Sequence, residues 1–277
     1  MNYRKALGLA VEALGTRAFT FGLVKDLHKV LMDSVRGQDK SPGQTRTGLA
    51  FIGPPGATSL SQARYVAPEP LHLPSLLENL EGYIAACTDD PVVAAAIVHA
   101  QFEMIHPFED GNGRIGRMLI PLYLYHCKAL RSPVFYLSEY LDEHREAYFA
   151  ALQGISRRDD WDGWLRFFVK AVEEQAQKNT TKARGIIDLY EATKGNLYDI
   201  AKTRFSFPLL DSLFGLVVFK SDRFIAHTGI SKRTAMRLLH DLRKAGILKI
   251  VRPKSGSQAA IMVFAELLNL VEGREVI

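Results

Sequence analysis

Cysteine is scarce: 277 residues contain two, Cys87 and Cys127. Each falls inside an apolar helical pattern, so both read as reduced core residues, and a disulfide-stapled secreted scaffold is excluded. Also lacking is any apolar run approaching the roughly 18–20 residues that cross a bilayer. Glu12 interrupts the N-terminal stretch where a signal peptide would be unbroken and apolar. A soluble cytoplasmic chain with no membrane partner is expected. Disorder has no compositional support either, because 47 % of the residues are apolar and 23 % charged, the proportions of an ordinary globular protein. The length suffices for one large or two modest domains. A net charge of +5 and a pI near 9.1 permit a nucleic-acid or acidic partner without requiring one.

What the chain does have is a dense polar stretch, His106 to Arg117, reading HPFEDGNGRIGR. The preceding residues, Pro91 to Ile105, are apolar at helical spacing, and Pro107 cannot extend that helix, so His106 sits where it stops with its ring free to project. Ile115 to Tyr125 is helical again. Asp110-Gly111-Asn112-Gly113 is therefore a tight turn opening a second helix, where glycines permit unusual backbone angles and successive N–H groups converge as an anion nest. For a nucleoside triphosphate and an acceptor hydroxyl, the loop offers a part for each task. His106 is the candidate base, neutral near pH 7. Asp110 is a hard oxygen ligand suited to Mg²⁺. The amides of Gly111, Asn112 and Gly113 would cradle phosphate, with the Asn112 side chain as a further donor. Arg114 and Arg117, three residues apart on one helix face, can both reach the phosphates. Phe108 points inward as an anchor. The competing reading is a structural turn whose two arginines and two acids pair with one another.

His106, Pro107, Phe108, Asp110, Gly111, Asn112, Gly113, Arg114 and Arg117 resemble the signature of the Fic family of nucleotidyl transferases. The resemblance covers roughly residues 1–180 and is specific at 106–117. It implies a mostly α fold, a Fic-type helical bundle with a β-hairpin flap, followed here by a small winged-helix (α+β) domain. It also implies an ATP- and Mg²⁺-dependent protein adenylyltransferase that moves AMP onto a Ser, Thr or Tyr hydroxyl of a target protein and releases pyrophosphate. Relatives that transfer phosphate itself have lysine at the position of Gly113, so glycine favours nucleotide transfer. UMP or phosphocholine transfer and AMP removal stay open.

Along the chain, residues 2–14 and 20–35 are amphipathic helices, followed by a Gly-, Pro- and Ser-rich loop at 37–48. The short run Leu49 to Ile52, the turn-rich stretch after it and Arg64 to Val66 read as a hairpin, about residues 47–67, in the place of the Fic flap. There Ala50, Phe51 and Ile52 could hold a target peptide by strand pairing, unless the hairpin is idle surface. Pro74–Ala86 and Pro91–Ile105 are scaffold helices. His99 reads as a packed histidine; the alternative makes it a metal ligand with His106 and Asp110 in a hydrolase. Residues 139–152 and 160–177 are helices, the second with Trp161, Trp164, Phe167 and Phe168. The resemblance puts Tyr148 in an adenine pocket, while its apolar surroundings suit the core equally well.

A helical connector at 181–205 leads to residues 206–277, where a winged helix-turn-helix is expected: helix, turn at Gly229, second helix, then strands at 248–251 and 259–264. From Lys202 to the end, thirteen Lys or Arg face six acidic residues. Lys232, Arg233 and Arg237 would read a DNA groove, with Arg252 and Lys254 gripping phosphate. Otherwise the module docks protein, including a second copy in a homodimer. The rival whole-chain reading is a DNA-binding regulator whose Fic domain is idle or only senses nucleotide. Many Fic proteins carry an inhibitory helix, with Ser or Thr followed four residues later by Glu and then Gly or Asn. That motif is missing here, so a helix lost by truncation or a different start, or inhibition in trans, is expected.

Overall fold

The computed structural model describes residues 2–34, 39–53, 56, 58–201, 206–256 and 258–277. Outside them lie 35–38 at the edge of the expected 37–48 loop, Pro54, Pro55 and Ala57 of the expected flap, 202–205 of the expected connector and Ser257 of the C-terminal turn. The chain divides into two units, Met1–Ala176 and Gln177–Ile277. The fold is mostly helical, with one small hairpin and one small three-stranded C-terminal sheet.

The first unit contains α1 (Asn2–Leu14), α2 (Phe21–Leu31), β1 (Phe51–Ile52), β2 (Tyr65–Val66), α3 (Leu73–Ala86), α4 (Pro91–Ile105), α5 (Asn112–His126), α6 (Ser138–Glu143), α7 (Arg145–Arg158) and the start of α8 (Trp161–Ala201). Helix α4 begins under an Asp90 cap whose side chain accepts from the amides of Val92 and Val93, with Pro91 at the first position, where no N–H is needed. Its alanines Ala94, Ala95, Ala96 and Ala100 are all buried and let neighbours approach closely. The Trp164 indole uses this closeness, donating from Nε1 to the Ala96 carbonyl at 3.0 Å. Around α4 and α5 lies one apolar core of Leu23, Leu27, Phe102, Ile115, Met118, Trp164 and their neighbours. Strands β1 and β2 pair antiparallel, Phe51 opposite Val66 and Ile52 opposite Tyr65.

Two expected helices differ in extent. The helix expected over 139–152 is broken at His144, whose ring stacks on Tyr140 at 4.0 Å and whose Nδ1–H donates to the Tyr140 carbonyl at 3.0 Å. The helix expected at 160–177 and the connector helix are one element, α8, 41 residues long. No glycine cap or proline separates them, so nothing stops the helix.

In the second unit, the remainder of α8 is followed by α9 (Ser206–Leu216), β3 (Val218–Lys220), α10 (Ser221–Thr228), α11 (Lys232–Lys244), β4 (Leu248–Arg252), β5 (Ile261–Phe264) and α12 (Ala265–Glu272). The sheet order is β3-β5-β4, antiparallel throughout. Strand β3 is an addition to the sequence reading. Gly229, at φ +64°, closes α10 and turns the chain into α11, a conformation glycine adopts without steric cost. Leu209, Leu213, Phe224, Leu238, Leu239, Leu242 and Phe264 form a separate core. No helix among the described residues is long and apolar enough to cross a membrane.

Gly116 is the tightest point between α4 and α5. A Cβ there would run into the Glu103 carboxylate and lie 3.3 Å from the Phe102 ring. We therefore expect Gly116→Ala to destabilise the protein by about 1–2 kcal/mol, an overpacking penalty of ~1–3 kcal/mol partly offset by alanine's better helix propensity. The midpoint of urea unfolding measures this; an unchanged midpoint would mean that the two helices can part at little cost.

Candidate active site

The site is built where α4 ends and α5 begins. His106 closes α4 in the left-handed conformation, φ 49° and ψ 59°, which is strained for a residue with a Cβ. Two side chains hold it there. Arg46 is only 3 % exposed, and its guanidinium donates to four carbonyls: His106 at 2.8 Å, Gly48 at 2.9 Å, Pro68 at 2.6 Å and Ile105 at 3.3 Å. Its own amide donates to the Pro107 carbonyl at 2.9 Å. One cation thereby neutralises the carbonyl end of α4 and ties it to both ends of the β1–β2 hairpin. Burial lowers its pKa, yet guanidinium remains charged. Asn112 is the second brace: its Oδ1 accepts from the Phe108 amide at 2.9 Å and its Nδ2 donates to the Phe108 carbonyl at 2.7 Å.

Phe108 is fully buried, as expected, and its ring lies between Phe21 and His28, stacked on His28 at 3.9 Å. His28 Nε2–H donates to the Asp110 carbonyl at 2.9 Å, and its Nδ1 accepts from the Gly43 amide at 2.8 Å. With both nitrogens assigned the ring is neutral, and burial lowers its pKa. Gly111 follows at φ +83°; a Cβ there would sit 2.8 Å from the Met32 sulfur and 3.0 Å from His28 Nε2. Position 111 therefore needs glycine twice over.

The His106 ring is partly buried, and its Nδ1 lies 3.3 Å from the Glu103 carbonyl. A carbonyl only accepts, so Nδ1 carries the proton and Nε2 keeps the lone pair. Burial is the main reason its pKa falls to about 4, so the ring is neutral throughout the physiological range. Asp110 Oδ1 accepts from the Gly111 amide at 2.6 Å and lies 3.4 Å from Arg114. Arg117 folds back along α5, its Nη1 3.1 Å from where a Gly113 Cβ would be. Both arginines thus reach the head of α5, whose first N–H groups have no acceptor within the helix.

His106, Asp110, Gly111, Asn112, Gly113, Arg114 and Arg117 are thereby brought together, with two changes of role. The Asn112 side chain is committed to the Phe108 backbone and is not a phosphate donor, and the Gly111 amide already meets Asp110. Tyr148 is corrected more fully. It is 5 % exposed, and its hydroxyl donates to His99 Nε2 at 3.0 Å, while His99 Nδ1–H donates to the Gly116 carbonyl at 2.9 Å. Burial raises the Tyr148 pKa and lowers that of His99 to about 4. Tyr148 is core, and His99 has no nitrogen left for a metal, which removes the hydrolase reading built on it. Among the described residues no three His, Cys, Asp or Glu side chains cluster as metal ligands.

Along the last turn of α4 is a cleft of about 420 Å³, lined by residues other than those of the 106–117 loop. The hairpin contributes Ile52, Arg64 and Tyr65, α4 contributes Glu103 and Met104, and α7 contributes Arg145, Phe149 and Gln153. Tyr65 donates to the Met104 carbonyl at 2.7 Å, and Gln153 Nε2 donates to the Arg64 carbonyl at 3.0 Å, holding the hairpin over it. Ala50 also belongs to the hairpin, its carbonyl accepting from the Ala67 amide at 3.0 Å. Phe149, next to the expected Tyr148, is the α7 aromatic that lines this cleft. Lys232, Arg233, Arg237, Arg252 and Lys254 belong to the second unit and are exposed.

With this geometry in view, residues 18–124 match the model of the Fic/DOC family. The chain carries a Fic/DOC family domain. It is 34 % identical over 96 residues to the probable protein adenylyltransferase aq_aa38 of Aquifex aeolicus (strain VF5), covering 34 % of this chain and 30 % of that protein. It is 28 % identical over 139 residues to protein adenylyltransferase fic-1 of Caenorhabditis elegans, covering 49 % and 24 %. To protein adenylyltransferase Fic of Culex quinquefasciatus it is 32 % identical over 112 residues, covering 39 % and 21 %. The matched segment thus spans less than a third of each relative. A crystal structure of a Fic family protein from Desulfovibrio desulfuricans G20 shares the fold at a TM-score of 0.54 and 20 % identity, covering 95 % of this chain and 74 % of that one.

Three buried groups escape a reading from sequence: Arg46, His28 and Glu103. Arg46 sits in a turn-rich segment, QTRTG, with the local character of surface, and no signal marks it. His28 could have been found, because it falls on the apolar stripe of α2 beside Val24, Leu27 and Leu31. Glu103 likewise shares a face of α4 with His99 and His106, at spacings of four and three. Burial, opposed by Arg117, pushes its carboxyl up to about 7, and its Oε1 has no hydrogen-bond partner among the described residues.

Removal of the Arg46 clamp leaves four carbonyls without their donor. Arg46→Ala is expected to lower unfolding stability by roughly 2–4 kcal/mol. Arg46→Lys should recover only part of that loss, since one ammonium cannot span the same carbonyls. Chemical denaturation of the three proteins decides it, and equal stability of the lysine variant would mean that charge alone suffices.

Proposed function

We propose that the Fic domain transfers AMP from ATP to a Ser, Thr or Tyr hydroxyl of another protein. The observation that carries this reading is the His106 ring, its tautomer fixed through Nδ1 and its Nε2 lone pair open, beside the head of a helix bearing two arginines. The acceptor oxygen attacks the α-phosphorus as Nε2 takes its proton; the bond to the β-phosphate breaks, and pyrophosphate leaves. The Asn112 and Gly113 amides with Arg114 and Arg117 bind the phosphates, and their fixed donors stabilise the gathering negative charge.

Asp110 fits Mg²⁺, having one oxygen engaged by Gly111 and Arg114 and the other available; a single carboxylate suits an ion that keeps waters and phosphate oxygens as its remaining ligands. The bound ion would neutralise phosphate charge. The cleft is large enough for the nucleoside, with Phe149 and Met104 as apolar walls. The outer edge of Ala50, Phe51 and Ile52 offers main-chain pairing to the target segment. On this reading residues 1–180 are the catalytic domain, 181–205 the connector and 206–277 a winged-helix domain of a cytoplasmic protein.

Incubation with α-labelled ATP, Mg²⁺ and cell lysate should label protein bands, and γ-labelled ATP should not. His106→Ala should reduce the label by about 10²–10⁴-fold, the usual worth of a general base. Label that persists in the variant, or that comes from the γ-phosphate, would falsify the assignment.

The pH dependence follows from the lowered His106 pKa. A base whose pKa lies below the ordinary 6.5 stays unprotonated as pH falls through 6.5 and is lost only near 4. The rate kcat/KM measured on a labelled target should therefore hold between pH 8 and about 5 and fall below that. An acid limb centred at 6.5 would mean that the ring is solvated like a surface histidine.

A further inference from the structure

The strongest charge on the molecule lies outside the Fic domain. The second unit holds seventeen Lys or Arg against nine Asp or Glu, whereas the first holds eighteen against twenty-one. Within the second unit this charge is ordered by α11. Ala235, Leu238, Leu239 and Leu242 are buried against the core, at the spacing of one helix face. The opposite face carries Arg233, Met236, Arg237, His240 and Lys244, all exposed. Lys232 and Arg243 flank it, also exposed, and Asp241 is the helix's one carboxylate, half-buried. No carboxylate among the described residues lies within ion-pair distance of any of these cations.

We propose that the second unit binds duplex DNA, with the outer face of α11 in the major groove. Three observations favour DNA over an acidic protein. First, Met236 is the one large apolar side chain exposed on α11, so this face lacks the apolar centre of a protein interface. Second, α11 has nothing packed on its outer face, and a helix about 10–12 Å across matches a groove of about 12 Å. Arg233 to Lys244 spans roughly 16 Å of helix, enough to run along several base pairs. Third, Ser231 caps α11, accepting from the Thr234 amide at 3.4 Å, so the helix starts firmly with Lys232 and Arg233 in its first turn. Arg233 and Arg237, one turn apart, have the planar donors suited to guanine edges or paired phosphate oxygens. Lys249 and Arg252 on β4 and Lys254 in the turn after it are exposed as well and suit the flanking phosphates.

The proposal is independent of AMP transfer, and its test uses the full chain with a labelled duplex of about 25 base pairs. Binding should weaken linearly in log–log form as salt rises from 50 to 200 mM, with a slope of roughly −3 to −5, about −0.9 for each phosphate contacted. The double variant Arg233→Glu, Arg237→Glu should bind at least about tenfold more weakly. Arg252→Ala with Lys254→Ala should make the slope shallower by about 2. All of these side chains are exposed, so circular dichroism should show both variants folded. Absence of binding by the wild-type chain at 50 mM salt would overturn the proposal, as would undiminished binding by the Arg233→Glu, Arg237→Glu variant. Polyglutamate binding as tightly as the duplex would replace DNA by an acidic protein.

Discussion

The loop from His106 to Arg117 depends on how the end of α4 is held. His106 occupies a left-handed conformation that a side-chain-bearing residue adopts only under constraint, and the constraint that bonds it directly is Arg46. A buried guanidinium without a carboxylate partner among the described residues would be costly. Here its compensation is the ring of carbonyls of Gly48, Pro68, Ile105 and His106. The last two lie at the negative end of the helix dipole, where a cation is favoured. Because the same cation reaches both ends of the β1–β2 hairpin, one residue links the position of the hairpin to the backbone of His106. His106 and the hairpin edge, the proposed base and the proposed target-docking strand, thus share a common reference.

Around this clamp the buried histidines are neutral by construction. His28 and His99 each use both ring nitrogens, while His106 uses one and leaves the other open. That single difference sets His106 apart from the two histidines committed to structure. Burial favours the neutral form of Glu103 too, here the protonated one, while Arg117 favours the carboxylate. A proton on Glu103 removes one negative charge from beside Arg117. The packing of Glu103 against Gly116 therefore bears on the anion site as well as on the contact between α4 and α5.

How much of this is legible in the sequence depends on whether the cause is local. The loop His106 to Arg117 is legible because its chemistry is compressed into twelve residues, and α4 is legible because Asp90-Pro91 and Pro107 bracket it. The break at His144 is not, since it rests on a ring stack with Tyr140 in a stretch that favours helix throughout. Strand β3 has three residues and exists through its pairing with β5; alone it has no strand signature. Asn112 was legible as a loop residue but not in role, because its side chain could turn outward to phosphate or back to the Phe108 backbone. Tyr148 posed the same choice, and packing against His99 decided it. Arg46 is the extreme case, a residue whose segment reads as surface and whose partners lie up to sixty positions away.

The two units carry cations in opposite ways. The first has a net excess of acidic residues, so an attraction to phosphate cannot come from its overall charge. It must come from orientation: a helix head, two arginines turned toward it and a histidine held neutral by burial. Such short-range, partly buried contacts are weakly screened by salt. In the second unit the cations are exposed on a helix face and a strand, where screening is strong and charge acts at a distance. A nucleotide held as proposed in the first unit would stay bound at salt concentrations that weaken the second unit's electrostatic contacts. Ionic strength therefore separates what the two units do, even though both are organised around arginine.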